Sequence, residues 1–493
     1  VVLAGMGEGD ALSLEPGVLT IADRLKLVGY RTLMSGKWHL GHGDGDLPNH
    51  HGFDRSLALD ASGADNWAAR AYMPYYKDAP WFEDGAPAKL PDEFYSSELL
   101  VDRLIKYIDE GERSSPYFGY LAFQAVHIPV QAPKAFSDNY AGRFDSGWEA
   151  TRRARWDRAV ASGIVPADAP FATLPADART WLSLGADERA KYARAMEVYS
   201  GMIEAMDHHV GRLMDHIASR GELDNTIFVI TSDNGPEPSD PVHEPWMDIW
   251  MGLNGYSWNL EDMGERGSLG FIGPEWAAAI SAPGSLYKFY ASDGGLRVPM
   301  IIAGPGVEAG ERHGGLTFVT DVAPTLLELA GAGTATPEGA RPITGRSLLP
   351  MLAGQVDRVY GPTDTVGVEV SGNSALFRDN WKIVRNIPPV GDGKWRLYDH
   401  AKDPAEVNDL TATMPDLFEA MLADYETYAA HSGVLALPDG YQAERQVRLN
   451  AIARQLSFHA GALIAIGAAV FALLSLLIFW LLRRRMRKRV AGT

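Results

Sequence analysis

Residues 36 to 41 read Gly36-Lys37-Trp38-His39-Leu40-Gly41, which sets an ammonium and an imidazole two positions apart between glycines, just past a short strand pattern. Such a pair suits the handling of an anion, although Lys-x-His alone names no chemistry. Three further clusters accompany it. The run from Thr226 to Ser232 ends in Asp233-Asn234-Gly235, and the run from Tyr117 to Phe123 leads on to His127-Ile128-Pro129. Lys288 precedes Asp293-Gly294-Gly295-Leu296-Arg297-Val298-Pro299, ahead of the apolar Met300 to Ala303. Open α/β sheets bind ligands beyond the carboxyl ends of their strands, so most of these clusters fall where such a fold puts its chemistry. Asp233 and Asn234 offer adjacent hard oxygens of the kind a calcium or magnesium ion needs. Lys37 and Lys288 can hold oxyanion charge. His39 and His127 are candidates for proton transfer, since an imidazole near its reference pKa of about 6.5 can act around neutral pH. For His42, His50 and His51 a structural role is the better reading.

These residues need a frame. Leu19 to Val28 has helical apolar spacing and stops at Gly29, before a short strand from Arg31 to Ser35. The β-branched run from Thr226 to Ser232 predicts a strand buried on both faces. A long helix is predicted from about Asp187 to Ser219, with Met196, Tyr199, Met202, Ile203, Met206, Val210, Leu213 and Ile217 on one face, read as core. The alternation of strand and helix argues an α/β fold with a mostly parallel central sheet flanked by helices. Residues 134–186 and 236–286, rich in Trp, Pro and Gly, look like insertions that wall a pocket. Beyond about residue 365 short strands (374–377, 381–385, 395–398) and a helix from Pro415 to Ala430 predict a small antiparallel α+β subdomain.

The motifs together resemble the sulfatases of the alkaline phosphatase superfamily, and within them the bacterial arylsulfatases. The resemblance rests on the Lys37 and His39 motif, His127-Ile128-Pro129, Ser232 to Gly235, Lys288 with Asp293 to Pro299, and Thr320-Asp321-Val322-Ala323-Pro324-Thr325. Gly345-Arg346-Ser347-Leu348 and Leu397-Tyr398-Asp399 extend it, so that it covers roughly residues 1 to 435. It implies sulfate ester hydrolysis assisted by a divalent metal, calcium or else magnesium, with Asp233 and Asn234 among the ligands. It further implies Lys37 and Lys288 on the sulfate, His127 as both a substrate contact and the general acid, and His39 assisting sulfate release. Asp293 stands where the family commonly has Glu, and is left outside the site.

One departure concerns the nucleophile. The family carries a first strand ending in paired Asp residues, then a Cys- or Ser-x-Pro-x-Arg motif whose first residue becomes formylglycine. Neither is found here, and the chain has no Cys. The stretch from Leu3 to Glu8 looks like the segment that follows that motif, so the chain is expected to lack an N-terminal segment and to be inactive without it. A formylglycine-generating enzyme is the partner expected for the full-length chain. The alternatives are a phosphate or phosphonate ester hydrolase of the same superfamily, and a non-catalytic membrane-tethered binding protein.

A length of 493 residues, 46% hydrophobic and 22% charged, suits a large α/β domain with a smaller one. The net charge of -18 argues against nucleic-acid binding, and means that a small sulfate ester must be captured by a local cationic pocket. From Ala460 to Leu482 there is no charged residue, and Arg483, Arg484, Arg485, Arg487, Lys488 and Arg489 follow. As a helix this run would be about 34 Å long, enough to span a bilayer. The basic tail would then lie in the cytoplasm. The expectation is a single-pass protein of the cytoplasmic membrane, in contact with its lipid, with the catalytic domain on the periplasmic or extracellular side. The expected division is a catalytic domain 1–365, a subdomain 366–435, a linker 436–459, a transmembrane helix 460–482 and a tail 483–493.

Overall fold

A computed structural model describes residues 13–490 apart from 42, 44 and 245, without the side chains at 444, 462, 463, 466, 482 and 484–490. The expectations for Leu3 to Glu8, for His42 and for the basic side chains beyond Arg483 lie outside the described residues. Strand β1 (Arg31–Lys37) is the hub. It pairs in parallel with β2 (Arg55–Leu59) on one side and β5 (Tyr117–Ala122) on the other. β2 then pairs antiparallel with β3 (Trp81–Glu83), and β3 with β4 (Ala86–Pro87).

Side-chain alternation along β1 sorts its residues between two layers. Leu33 packs with Leu100, Leu104, Tyr107, Leu213 and Ile217, from the helices Ser96–Asp109 and Ala186–Ser219. Met34 faces the other way, onto Ala22, Trp38, Phe53 and Ala58. Each fully buried aliphatic side chain in these layers contributes about 1.5–3 kcal/mol of transfer free energy. The helix Ile21–Lys26 closes the second layer, capped by Thr20, whose hydroxyl accepts from Asp23 N–H while Asp23 accepts from Thr20 N–H.

Three expectations need correction. The sheet is mixed, not mostly parallel. β2 returns through β3 and β4 as a meander, and β6 (Phe228–Thr231) pairs antiparallel with β7 (Met300–Ala303). The β6 run is also not buried on both faces, since Ile230 is 44% exposed. Its β-branched residues border the central cleft. The apolar stripe of Ala186–Ser219 divides in the same manner: Met196, Met202, Leu213 and Ile217 are buried, while Tyr199, Ile203, Met206 and Val210 also line the cleft and are less enclosed.

The insertions are ordered around aromatic packing. Trp148, Trp181, Trp276 and Tyr192 meet edge to face. Arg152, buried beside them, donates to the carbonyls of Ala172, Ala278 and Gly284.

The C-terminal subdomain is an antiparallel sheet of β8 (Thr365–Val370), β9 (Asn373–Arg378), β10 (Trp381–Arg385) and β11 (Arg396–Asp399). Leu376, Ile383 and Leu397 face the helix Pro415–Ser432. Ala375, Phe377 and Val384 face Ala291 of the main body. After Gly433, which ends that helix in the left-handed conformation, come the helices Ala443–Phe458 and Ala460–Val490. The expected membrane span falls in the last of these. Among the described residues, however, no helix is long and apolar enough to cross a membrane.

Candidate active site

Lys37 is the last residue of β1, and the chain beyond it is shaped by glycine. Gly36 has φ +132°, and a Cβ there would lie 1.9 Å from the Ala122 carbonyl oxygen of β5. Trp38 turns inward, donating from Nε1 to Asp46 O at 2.8 Å and stacking on His51, which gives His51 a packing role. Lys37 and His39 flank it and line the cleft. His39 has φ 50°, a left-handed conformation that costs a non-glycine residue energy and is commonly found at functional sites.

Two loops on the far side are pinned together by their backbones. Gly235 N–H donates to Gly295 O at 2.9 Å, and Lys288 N–H donates to Pro236 O at 3.1 Å. Left-handed residues bracket Lys288 as well, with Leu286 at φ 57° and Phe289 at φ 82°. Lys37, His39, His127, Asp233, Asn234 and Lys288, from segments far apart in sequence, all line one cleft.

Several of these groups act on one another electrostatically. Burial, and then the Lys288 charge, pull the Lys37 ammonium down to about 8, against the opposing influence of Asp233 and Glu237. His127 is held well below its usual value by burial, then by Lys288 and Lys37. It is therefore neutral at pH 7 in the free site, unlike the ordinary imidazole that the sequence reading assumed. Its Nδ1 lies 2.9 Å from the Ile128 carbonyl oxygen. A neutral ring donates there from Nδ1–H, so Nε2 is the atom left for proton exchange.

Asp233 and Asn234 are chemically suited to a hard cation, but two donors fall short of the six to eight that calcium takes. Among the described residues, no three His, Cys, Asp or Glu side chains converge on a metal position. Further ligands would have to come from elsewhere.

The sequence reading missed several lining residues. Tyr72 sets its ring edge against His127, with centroids 5.9 Å apart, and its hydroxyl lies 2.8 Å from Ser62 Oγ. Tyr76 Oη lies 3.0 Å from His39 Nε2. Glu237 acts on Lys37, Tyr72 and Tyr199 through space. The aromatic cluster Tyr72-Met73-Pro74-Tyr75-Tyr76, in a segment without regular structure, was the available signal.

Residues 12–332 match the family model described as Sulfatase, and residues 284–421 match the C-terminal region of N-sulphoglucosamine sulphohydrolase. An uncharacterised sulfatase of Schizosaccharomyces pombe is 32% identical over 87% of this chain and 80% of its own. The chain belongs to the sulfatase family.

An arylsulfatase of Klebsiella aerogenes is 34% identical to this sulfatase over 70% of the chain and 74% of its own length. Among solved structures, the complex of Ps i-CgsB with k-i-k-neocarrahexaose superposes with a TM-score of 0.60 at 20% identity, covering 90% of this sulfatase and 81% of that chain. That likeness concerns the fold. The sulfatase is a sulfuric ester hydrolase, and the convergence of lysines and histidines in its cleft suits a sulfate group.

Proposed function

We propose that the cleft hydrolyses small sulfate esters, with Lys37 and Lys288 holding sulfate oxygens and His127 Nε2 delivering a proton to the departing alcohol or phenol oxygen. The observation that carries this reading is that Lys37 and Lys288 line the same cleft as His127 and that both charges act on its imidazole. Burial, and then the two ammonium charges, keep His127 neutral; a bound sulfate would offset the ammonium part and so favour uptake of a proton by His127 when substrate arrives. Asp233 and Asn234 would contribute to a calcium or magnesium site. The implied metal would neutralise sulfate charge, and the implied formylglycine would supply the nucleophile. His39 would assist release of sulfate.

The same proposal includes a strand, preceding the described residues, that carries the formylglycine motif and the remaining acidic ligands. Two features support it. Among the described residues β5 pairs only with β1, and β6 only with β7. All of β5 and β6 lines a cleft of about 4880 Å³, several times the roughly 300–1,000 Å³ of a small-ligand pocket.

We further propose that the C-terminal helix anchors the protein to the cytoplasmic membrane, with the cleft outside. Support comes from the charge-free sequence 460–482 with its basic flank, and from Leu449, Ile452 and Leu456, exposed at helical spacing on the preceding helix.

The deciding experiment compares 4-nitrophenyl sulfate with 4-nitrophenyl phosphate, using the full-length enzyme produced together with a formylglycine-generating enzyme. A higher kcat/KM on the sulfate is expected. Preferential turnover of the phosphate would reject the sulfate assignment in favour of the phosphoester reading.

A further inference from the structure

The two imidazoles of the cleft are joined by an arch of contacts within residues 62–76. Tyr76 Oη lies 3.0 Å from His39 Nε2, and it also accepts the Ser62 backbone N–H at 3.2 Å. With that acceptor position used, the hydroxyl has its own proton to give, and Nε2 of a neutral His39 can take it. Ser62 Oγ then pairs with the Tyr72 hydroxyl, whose ring meets His127. His39 also sits in a left-handed backbone conformation, which persists only where surrounding contacts hold it.

The arch is held from a distant part of the chain. The helix Ala443–Phe458 lies where a mere linker was expected, yet it packs on this loop. The Arg454 guanidinium sits 4.1 Å from the centroid of the Tyr75 ring, and Gln455 Nε2 donates to the Pro74 carbonyl. Arg448 pairs with Glu244 at 2.8 Å, and Ala451 is buried between these contacts. Tyr75 in turn meets Tyr76, ring to ring, at 5.2 Å. Much of the helix is otherwise exposed, including Leu449, Ile452 and Leu456, so its attachment to the body is concentrated at the rim of the cleft.

We infer that Tyr76 is a positioning residue for His39, and that the helix Ala443–Phe458 holds Tyr76 in place through Arg454 and Gln455, so that the segment following the C-terminal subdomain completes the active site. This rests on the assignment of His39 to the sulfatase site made above. A cation over an aromatic face and one hydrogen bond are together modest in energy, which suits fixing a loop more than stabilising a fold. A small displacement of a reacting group is enough to cost a large factor in rate.

The test uses the full-length enzyme, a Tyr76→Phe variant and an Arg454→Ala/Gln455→Ala double variant. The rate at which diethyl pyrocarbonate modifies His39 is followed by peptide mass spectrometry, with exposed His50 as internal control. Both variants are expected to speed His39 modification severalfold without changing His50, and to lower kcat by about 10- to 100-fold while KM moves little. Unchanged His39 labelling in both variants overturns the inference. A change in Tyr76→Phe alone overturns the part assigned to the helix. Wild-type enzyme inert toward sulfate esters would instead defeat the functional assignment, while the labelling would still report whether Tyr76 restrains His39.

Discussion

Lys382 Nζ lies 2.7 Å from Asp293 Oδ1, with both side chains closed to solvent. His400 Nε2 takes the other carboxylate oxygen at 2.6 Å, and Lys382 also reaches Glu406. This buried network fastens β10 to the segment that follows Lys288. The carboxylate at 293 therefore belongs to the joint between subdomain and catalytic body, which accounts for a charged residue in the Asp-Gly-Gly motif without a place for it in the chemistry.

Replacing Lys382 by Met should destabilise the protein by about 3–5 kcal/mol, because Asp293 and Glu406 would remain buried without their cation. Denaturant unfolding measures it, and a loss within experimental error would contradict the network's role. The pH dependence has a definite sign. Burial favours protonation of Asp293, but Lys382 and His400 overcome it and hold the carboxyl below its usual value. Its contribution is therefore present above about pH 3.9 and lost as pH falls through the folded value. Burial likewise opposes the Lys382 charge, and Asp293 and Glu406 overcome it and raise Lys382. That contribution is complete below about pH 10.4 and fades as pH rises through the folded value.

Lys37 sets an alkaline limit. Since burial and Lys288 bring its ammonium to about 8 in the free enzyme, kcat/KM for a sulfate ester should fall about tenfold per pH unit above that value, because kcat/KM follows free-enzyme ionisations. Bound sulfate stabilises the ammonium, which places the corresponding limb of kcat at higher pH. Lys37→Met should remove the limb and lower kcat by about 10²–10³-fold. A flat kcat/KM up to pH 9.5 would rule out this role.

His127 should take up a proton when an anion binds. At pH 6 Lys37 is already charged, whereas His127, pushed well below its usual value by burial and the two lysines, is neutral. Calorimetric titration with inorganic sulfate, in two buffers of different ionisation enthalpy, should therefore give buffer-dependent heats that vanish in His127→Gln. Heats independent of buffer would show that the imidazole stays neutral and would remove it as the general acid.

Much of the frame was legible because local pattern and burial agree. Met300–Ala303 forms a strand over the residues read as an apolar run, Trp381–Arg385 forms the strand expected there, and the long helix spans Ala186–Ser219 against an expected start near Asp187. The motif residues Lys37, His39, His127, Asp233, Asn234 and Lys288 share the cleft. What stayed hidden depends on tertiary contact. Nothing periodic marks Tyr76 as the partner of His39, and the polar helix Ala443–Phe458 is amphipathic too weakly for its docking face to be read from sequence. The mixed sheet was missed because short strands such as Trp81–Glu83 and Ala86–Pro87 offer too few residues for a period of two. The neutrality of His127 follows from its burial and then from lysines 90 and 161 positions away in sequence, and only the fold supplies either.

Gly235 tests whether the two loops of the site work as one piece. A Cβ on this residue would lie 1.8 Å from the Gly294 carbonyl oxygen, where the backbone has no flexible side chain to move aside. Gly235→Ala should therefore separate the Asp233 and Asn234 segment from the loop that presents Lys288, with a loss of at least tenfold in kcat, since misplacement by about 1 Å can cost about 10²-fold. Gly211, inside the helix Ala186–Ser219 with open space where a methyl would go, is the matched control: Gly211→Ala should keep full activity and gain about 0.5–1 kcal/mol from helix propensity. Activity assays with thermal unfolding separate the two effects. If Gly235→Ala turned over sulfate ester like the wild type, the close backbone contact could not be what aligns the metal-side residues with Lys288.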